Sequence, residues 1–402
     1  MITRRKARLL SILSVGAIAL TACGAPGSPS DGGASTSVQP TKPSSPVSLT
    51  ILDGAGDLVG SKPIIEQFVK DHPDLVSGVN YQTASAPDVA GKIKTQQSAG
   101  SVDISLVLGG PDILGAGEAL GLFVQQFPAY VSSLPDLNSI QDKQMQSFQA
   151  LANGYGVLVR YEQSGPILAH APSLADVPAS PQELLDWAKA NPGKFAYAQP
   201  PNSGPGRSFL QSLPYMLGDK DPSDPTKGWD KTWAYLDELG KYIHSYPASS
   251  TILNQQFGVG ELKLIPTIIG MDINNRKSGG WPADSEVSTF ADQNWITDGH
   301  FSMIPKGVSP KVLYVVLALE KSIVDAKNQA GTLNTGALTT ANKNATVAAA
   351  GADVKSFLDK WGRPDFYPAA LKRGTIHAPL TSEKLQEAFD LWQRKVGSKA
   401  GG

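Results

Sequence analysis

"VSLTILDG", residues 47–54, followed by "SKPIIEQFVKDHP", residues 61–73, decides how the fold is read. The first is a short apolar run closing on glycine, the pattern of a strand. The second places Ile64, Ile65, Phe68 and Val69 on one helical face, with Ser61 expected as N-cap and Pro63 in the first turn. "VNYQT" (79–83) then predicts a second strand, "PDVAGKIKTQQSAG" (87–100) a second helix and "VDISLVLGG" (102–110) a third, fully buried strand. Strands alternating with helices in this way build a parallel sheet, so the segment is a βαβαβ half-domain.

Working outward, "ALANGYGVLVRY" (150–161) is an apolar strand with Tyr155 between Gly154 and Gly156, which suits a crossing into another domain. "SPQELLDWAKANP" (180–192) predicts a helix with Ser180 as N-cap, Pro181 at the first helical position and Glu183 completing a capping box. "KFAYAQ" (194–199) reads as a strand leading into "PPNSGPGRSF" (200–209), an opening loop that runs into a helix. In "WDKTWAYLDELGKYIHSYP" (229–247), Trp229, Trp233, Leu236, Leu239 and Ile243 form one stripe, the signature of core packing. "ELKLIPTIIGMD" (261–272) is extended, and Pro266 argues for a sheet edge or a bend. "ADQNWITDGHFSMIP" (291–305) is an extended return path, followed by the apolar helix "KVLYVVLALEKSIVDA" and by helices around "DVKSFLDKWG" and "TSEKLQEAFDLWQRKV". Crossings near 153–157 and 291–302 make the first domain discontinuous. The expected division is 47–153 with 302–395 as lobe 1, 154–301 as lobe 2, and 396–402 as a disordered tail.

The N-terminus gives an address. Arg4, Arg5, Lys6 and Arg8 precede the apolar run Leu9 to Leu20, too short to span a bilayer and suited to a signal-peptide core. It ends in "LTAC" (20–23), similar to a bacterial lipobox, so residues 1–22 are expected to be removed and Cys23 to carry lipid. Cys23 is the sole cysteine, which rules out an intrachain disulfide and a cysteine-based metal site. Residues 23–46 are rich in Gly, Ser and Pro and cannot bury enough surface to offset chain entropy. They are expected to be a flexible tether reaching roughly 25–30 Å. With 35 Lys and Arg against 36 Asp and Glu, the chain has no basic surface suited to nucleic acid.

"QPPNSGPGRSFLQ", "GELKLIPTI", "ITDGHFSMIPKG" and "WGRPDFYP" together resemble the extracellular solute-binding proteins of ABC importers, family 1, near the branch of thiamine- and polyamine-type binding lipoproteins. The resemblance implies an α/β, two-lobed periplasmic-binding-protein-like fold of type II, each lobe a mixed sheet flanked by helices and joined by a hinge. It implies a lipid-anchored receptor without enzymatic activity or cofactor, outside the cytoplasm. Its partners are a small polar solute (a polyamine, a thiamine-like compound, a sugar or similar), an ABC permease, and the membrane through the N-terminal lipid; a monomer is expected. A secreted hydrolase on a two-domain scaffold and a solute-binding fold used as a sensor are the competing readings.

Ligands of open α/β sheets bind beyond the carboxyl ends of the strands. On this rule the first lobe offers Asp53, Gly54 and Gly56, then Gly109, Gly110 and Asp112, with Tyr155 at the crossing. The second offers Asn202, Ser203, Gly204, Gly206 and Arg207, then Asp272, Asn274 and Asn275, with Trp295 and His300 on the return segment. Unpaired amides at a helix start beside Arg207 suit a carboxylate, phosphate or polar hydroxyl. Tyr155, Trp281 and Trp295 are candidates for stacking on a sugar or holding an organic cation. Gly54, Gly56 and Gly60 imitate a dinucleotide turn, but Lys62-Pro63 delays the helix beyond the last glycine. No G-x-S-x-G, S-x-x-K or H-E-x-x-H is present, and His72, His170, His244, His300 and His377 are scattered, so no metal site is expected.

Overall fold

The computed structural model describes residues 38–336 and 338–399, so the leader and Cys23 lie outside the described residues. From β1 (Val47–Asp53) the chain runs through α1 (Leu58–Asp71), β2 (Val76–Thr83), α2 (Ala86–Ser98), β3 (Leu106–Gly109) and α3 (Pro111–Ala119), the alternation read from the sequence. Two short helices, α4 (Leu137–Ile140) and α5 (Lys143–Ala150), lead to β4 (Val157–Gly165) and β5 (Ile167–His170). Then come α6 (Pro181–Ala190), α7 (Gly204–Met216), α8 (Asp230–Gly240), α9 (Ser250–Gly258), β6 (Leu264–Thr267), α10 (Met271–Ser278) and β7 (Glu286–Ser288). The return strand β8 (Asn294–Met303) precedes α11 (Pro310–Ile323), α12 (Ala326–Thr332), α13 (Ala352–Trp361), α14 (Tyr367–Ala370), β9 (Thr375–His377) and α15 (Ser382–Lys395).

The strands form two sheets, one to each lobe. The larger has the order β2-β1-β3-β8-β4, with β9 pairing β8; β1 is parallel to β2 and β3, and β8 is antiparallel to β3 and β4. The smaller has the order β6-β5-β7 and is antiparallel throughout, with Pro266 on edge strand β6 as its missing amide requires. Successive residues of the larger sheet feed opposite cores. Ile51, Leu106 and Leu108 pack with α1 and α11, whereas Leu52 and Val107 pack with α2, α3 and α5. Each such Leu or Ile, fully buried, stabilises the fold by about 1.5–3 kcal/mol.

Several boundaries differ from the expectation. α1 starts one turn early, with Asp57 at the N-cap, so Ser61 lies inside the helix and donates its hydroxyl to the Asp57 carbonyl. Residues 194–199 form no strand: Phe195 bridges Leu264 once, and the amide of Lys263 bonds the carbonyl of Lys194. The expected crossing at Tyr155 lies within the larger lobe, where Tyr155 is partly buried against the core that α2, α3 and α5 build on the sheet. The chain leaves that sheet at Gly165 and enters the smaller one at Ile167, and Gln293 at the start of the return donates to Pro166 O at 2.9 Å. Of the tether expected over 23–46, residues up to 37 lie outside the described residues, and its end is packed down: Pro43 is buried and the Thr41 amide bonds Pro310 O. Nor does 302–395 stay with the larger lobe. Tyr367, Leu385, Phe389 and Trp392 enter the core built by β5, β6, α7 and α8, where Trp392 Nε1 donates to the Tyr197 hydroxyl at 2.9 Å. Val396, expected in the tail, is buried too.

Candidate binding cleft

The carboxyl ends of β1 and β3, with the starts of α2 and α3, form one wall of a cleft of about 690 Å³. The opposite wall is the start of α7, the start of α9, Ile268 and Met271. Arg160 and Glu162 of β4 and Asp298, Gly299 and His300 of β8 form the floor.

Three ion pairs run through this floor. The antiparallel register sets Arg160 opposite His300 and Glu162 opposite Asp298. Arg160 pairs with Glu162 along its own strand, Nε lying 2.6 Å from Oε1. Arg207 reaches down from α7, its Nη2 2.8 Å from Asp298 Oδ2. His300 Nδ1 is 2.8 Å from Asp57 Oδ1 at the N-cap of α1. Burial opposes ionisation of Asp298 and His300 alike. Arg207 and His300 nevertheless hold the Asp298 carboxyl below the ordinary range, and Asp57 raises the His300 imidazolium above it.

Helix starts supply the remaining donors. Ser203 caps α7 by accepting the Gly206 amide at 3.0 Å, and Ser249 caps α9 by accepting the Ile252 amide at 3.4 Å. The Ser203 and Ser250 hydroxyls bond each other at 2.9 Å, drawing the two starts together. The cleft is open to solvent, carries charged side chains on its floor, and lies between two lobes joined through β4 and β8.

Residues 63–357 match the model of the bacterial extracellular solute-binding proteins. The chain belongs to that family. It is a solute-binding protein and not an enzyme, and it works outside the cytoplasm. Protein YnjB of Escherichia coli (strain K12) is 31% identical over 155 residues, a match covering 35% of this chain and 39% of YnjB. Two solved structures have the same fold: the Atu4243–GABA receptor, at TM-score 0.62 and 18% identity over 87% of this chain and 96% of that one, and a periplasmic thiamin binding protein, at 0.61 and 14% over 87% and 96%.

In this solute-binding protein, Gly54, Gly110, Asp112, Asn202, Ser203 and Arg207 line the cleft together, with Gly56 and Gly204. Gly54 must be small, because a side chain there would strike Ile113. Other candidates lie elsewhere, Gly109, Gly206 and Asn275 among them, and Asp53 is the most informative. It is buried beneath the loop it shapes, accepting the amides of Ala55, Gly56 and Leu58 at 2.8–2.9 Å. Tyr155 is a packing residue. Asp272 is fully buried among Arg276, Arg363 and Tyr367. Asn274 bonds Thr335 O and borders a separate cavity of about 150 Å³. Trp295 is fully buried, its Nε1 donating to Arg373 O at 2.7 Å. Trp281 packs edge-on against Phe257, so none of the three expected aromatics lines the cleft.

Arg160, Glu162 and Asp298 were not among the residues expected from the strand-end rule. Their signal lies in "VRYEQ" and "TDGHF", where charges two apart on a strand share a face. Among the described residues no group of three or more His, Cys, Asp or Glu is placed to hold a metal ion.

Proposed function

We propose that the protein is the lipid-anchored receptor of an ABC importer, binding one small polar solute in the cleft and delivering it unchanged to a membrane permease. The observation that carries this is the cleft itself: a site of about 690 Å³ with charged residues on its floor, whose two walls belong to different lobes joined by β4 and β8. Contacts to both walls would favour a closed form, which the permease can distinguish from the open one. Cys23, in its lipobox-like context, supports anchoring at the outer face of the membrane. The two solved structures named above are a GABA receptor and a thiamin binding protein, so the fold alone does not select the solute. The test is a thermal-shift screen of the purified protein against sugars, polyamines, thiamine, amino acids and phosphates. A cognate solute at a hundredfold excess over its Kd adds about 2.7 kcal/mol to stability. Mass spectrometry should recover it chemically unchanged; turnover would overturn the receptor reading.

A further inference from the structure

We propose that the solute is a small zwitterion, its anionic group on the paired starts of α7 and α9 beside Arg207, its cationic group facing Asp112 across the cleft. This rests on the receptor reading. It comes from which donors and acceptors of the cleft have no protein partner among the described residues. Arg160, Arg207 and His300 each have their own carboxylate, in Glu162, Asp298 and Asp57. Asp112 lines the cleft and makes no ion pair among the described residues, although Arg207 lies within its electrostatic reach.

The two walls differ in sign. α2 and α3 carry Asp88 and Asp112 in their first turns, so acids already face the positive ends of those helices. α7 and α9 carry no acid in theirs. The cap hydroxyls take the Gly206 and Ile252 amides, which leaves the amides of Gly204, Ser250 and Thr251 with no protein acceptor among the described residues. Arg207 is more than nine-tenths buried and lines the cleft, yet it engages Asp298 only through Nη2. Its Nε and Nη1 donate no hydrogen bond among the described residues. A simple anion would leave Asp112 without a partner, and a polyamine would meet Arg207 and two open helix starts. A molecule with both charges answers each wall.

Isothermal titration calorimetry on the intact protein tests this with unbranched ω-amino acids from glycine to aminocaproate, with aminoethylphosphonate, and with the amines and acids of matching length. At least one zwitterion is expected to bind about tenfold or more tightly than its amine-only and acid-only counterparts. Asp112→Asn should remove the preference over the acid. Ser250→Asp, a substitution that suits a helix start, should remove the preference over the amine. Tighter binding of a simple amine or acid, or two variants that change nothing, overturns the zwitterion and leaves the receptor reading standing. If the whole series is silent, native mass spectrometry after exposure to bacterial culture extract decides. A captured zwitterion supports the inference, a captured solute of another charge type overturns it alone, and an empty protein overturns both readings.

Discussion

His300 shows what burial among charges does to one side chain. Asp57, Arg160 and Asp298 surround its ring, and the attraction and hydrogen bond from Asp57 raise its pKa despite burial. The folded chain therefore holds the proton more tightly than the unfolded chain, whose histidine titrates near 6.5. The resulting stability is fully present below the unfolded value and is lost as pH rises through the raised folded value. The melting temperature of wild type minus that of His300→Gln should accordingly shrink as pH rises above about 6.5. A gap independent of pH would show that the ring is not protonated in the fold. Asp53 and Asp112 make a second residue-scale contrast. Both satisfy the strand-end rule, but the carboxylate of Asp53 is taken up by three amides of its own loop. Only three-dimensional hydrogen bonding separates a loop-shaping carboxylate from one open to the cleft.

At the scale of elements, the helix start at Ser180 was legible, whereas the cap expected at Ser61 lies at Asp57. Ser180 accepts the Glu183 amide at 3.2 Å, and Glu183 in turn accepts the amide of Ala179. These are local contacts between residues close in sequence, so a local pattern encodes them. The return strand and α11 were legible as elements, but the buried carboxyl between them was not. Glu320 of α11 is fully buried, its Oε1 accepting from the Ser302 hydroxyl at 2.6 Å and from Gln126 at 3.2 Å. Burial outweighs these hydrogen bonds and pushes its pKa up to about 8 from 4.5. A raised folded value means stability is greatest below 4.5, falls as pH rises, and levels off above about 8. Glu320→Gln keeps an acceptor for both donors and removes the titration. The variant should match wild type near pH 5 and exceed it near pH 9 by on the order of a few kcal/mol, read by urea denaturation at the two pH values. Equal stability at both would show that Glu320 ionises without cost.

On the scale of the molecule, the C-terminal third belongs to both lobes. α11 and α12 flank the larger sheet, whereas α14 and α15 complete the core of the smaller one. Asp272 on α10 ties that return in place, accepting Arg276 Nη2 at 3.0 Å, Arg363 Nε at 2.6 Å and the Tyr367 hydroxyl. Asp272→Asn would leave two arginines facing a neutral amide, with a cost of about 3–5 kcal/mol. The melting temperature should fall, and limited proteolysis should open the segment between α13 and α14. An unchanged melt with unchanged proteolysis would show that apolar packing alone holds the C-terminal helices.

By itself the sequence determined the alternation of strands and helices, the Ser180 cap, the two-lobed family and part of the lining of the candidate cleft. Each of these is written in short-range periodicity or in glycines and serines next to strand ends. Only the tertiary structure decided where the chain changes lobes, which core receives α15, and that Arg160, Glu162 and Asp298 form the cleft floor. Those outcomes depend on pairings between residues more than a hundred positions apart, such as Glu162 with Asp298 and Tyr197 with Trp392. No local pattern carries the competition among such pairings, because burial and hydrogen-bond satisfaction are properties of the folded whole.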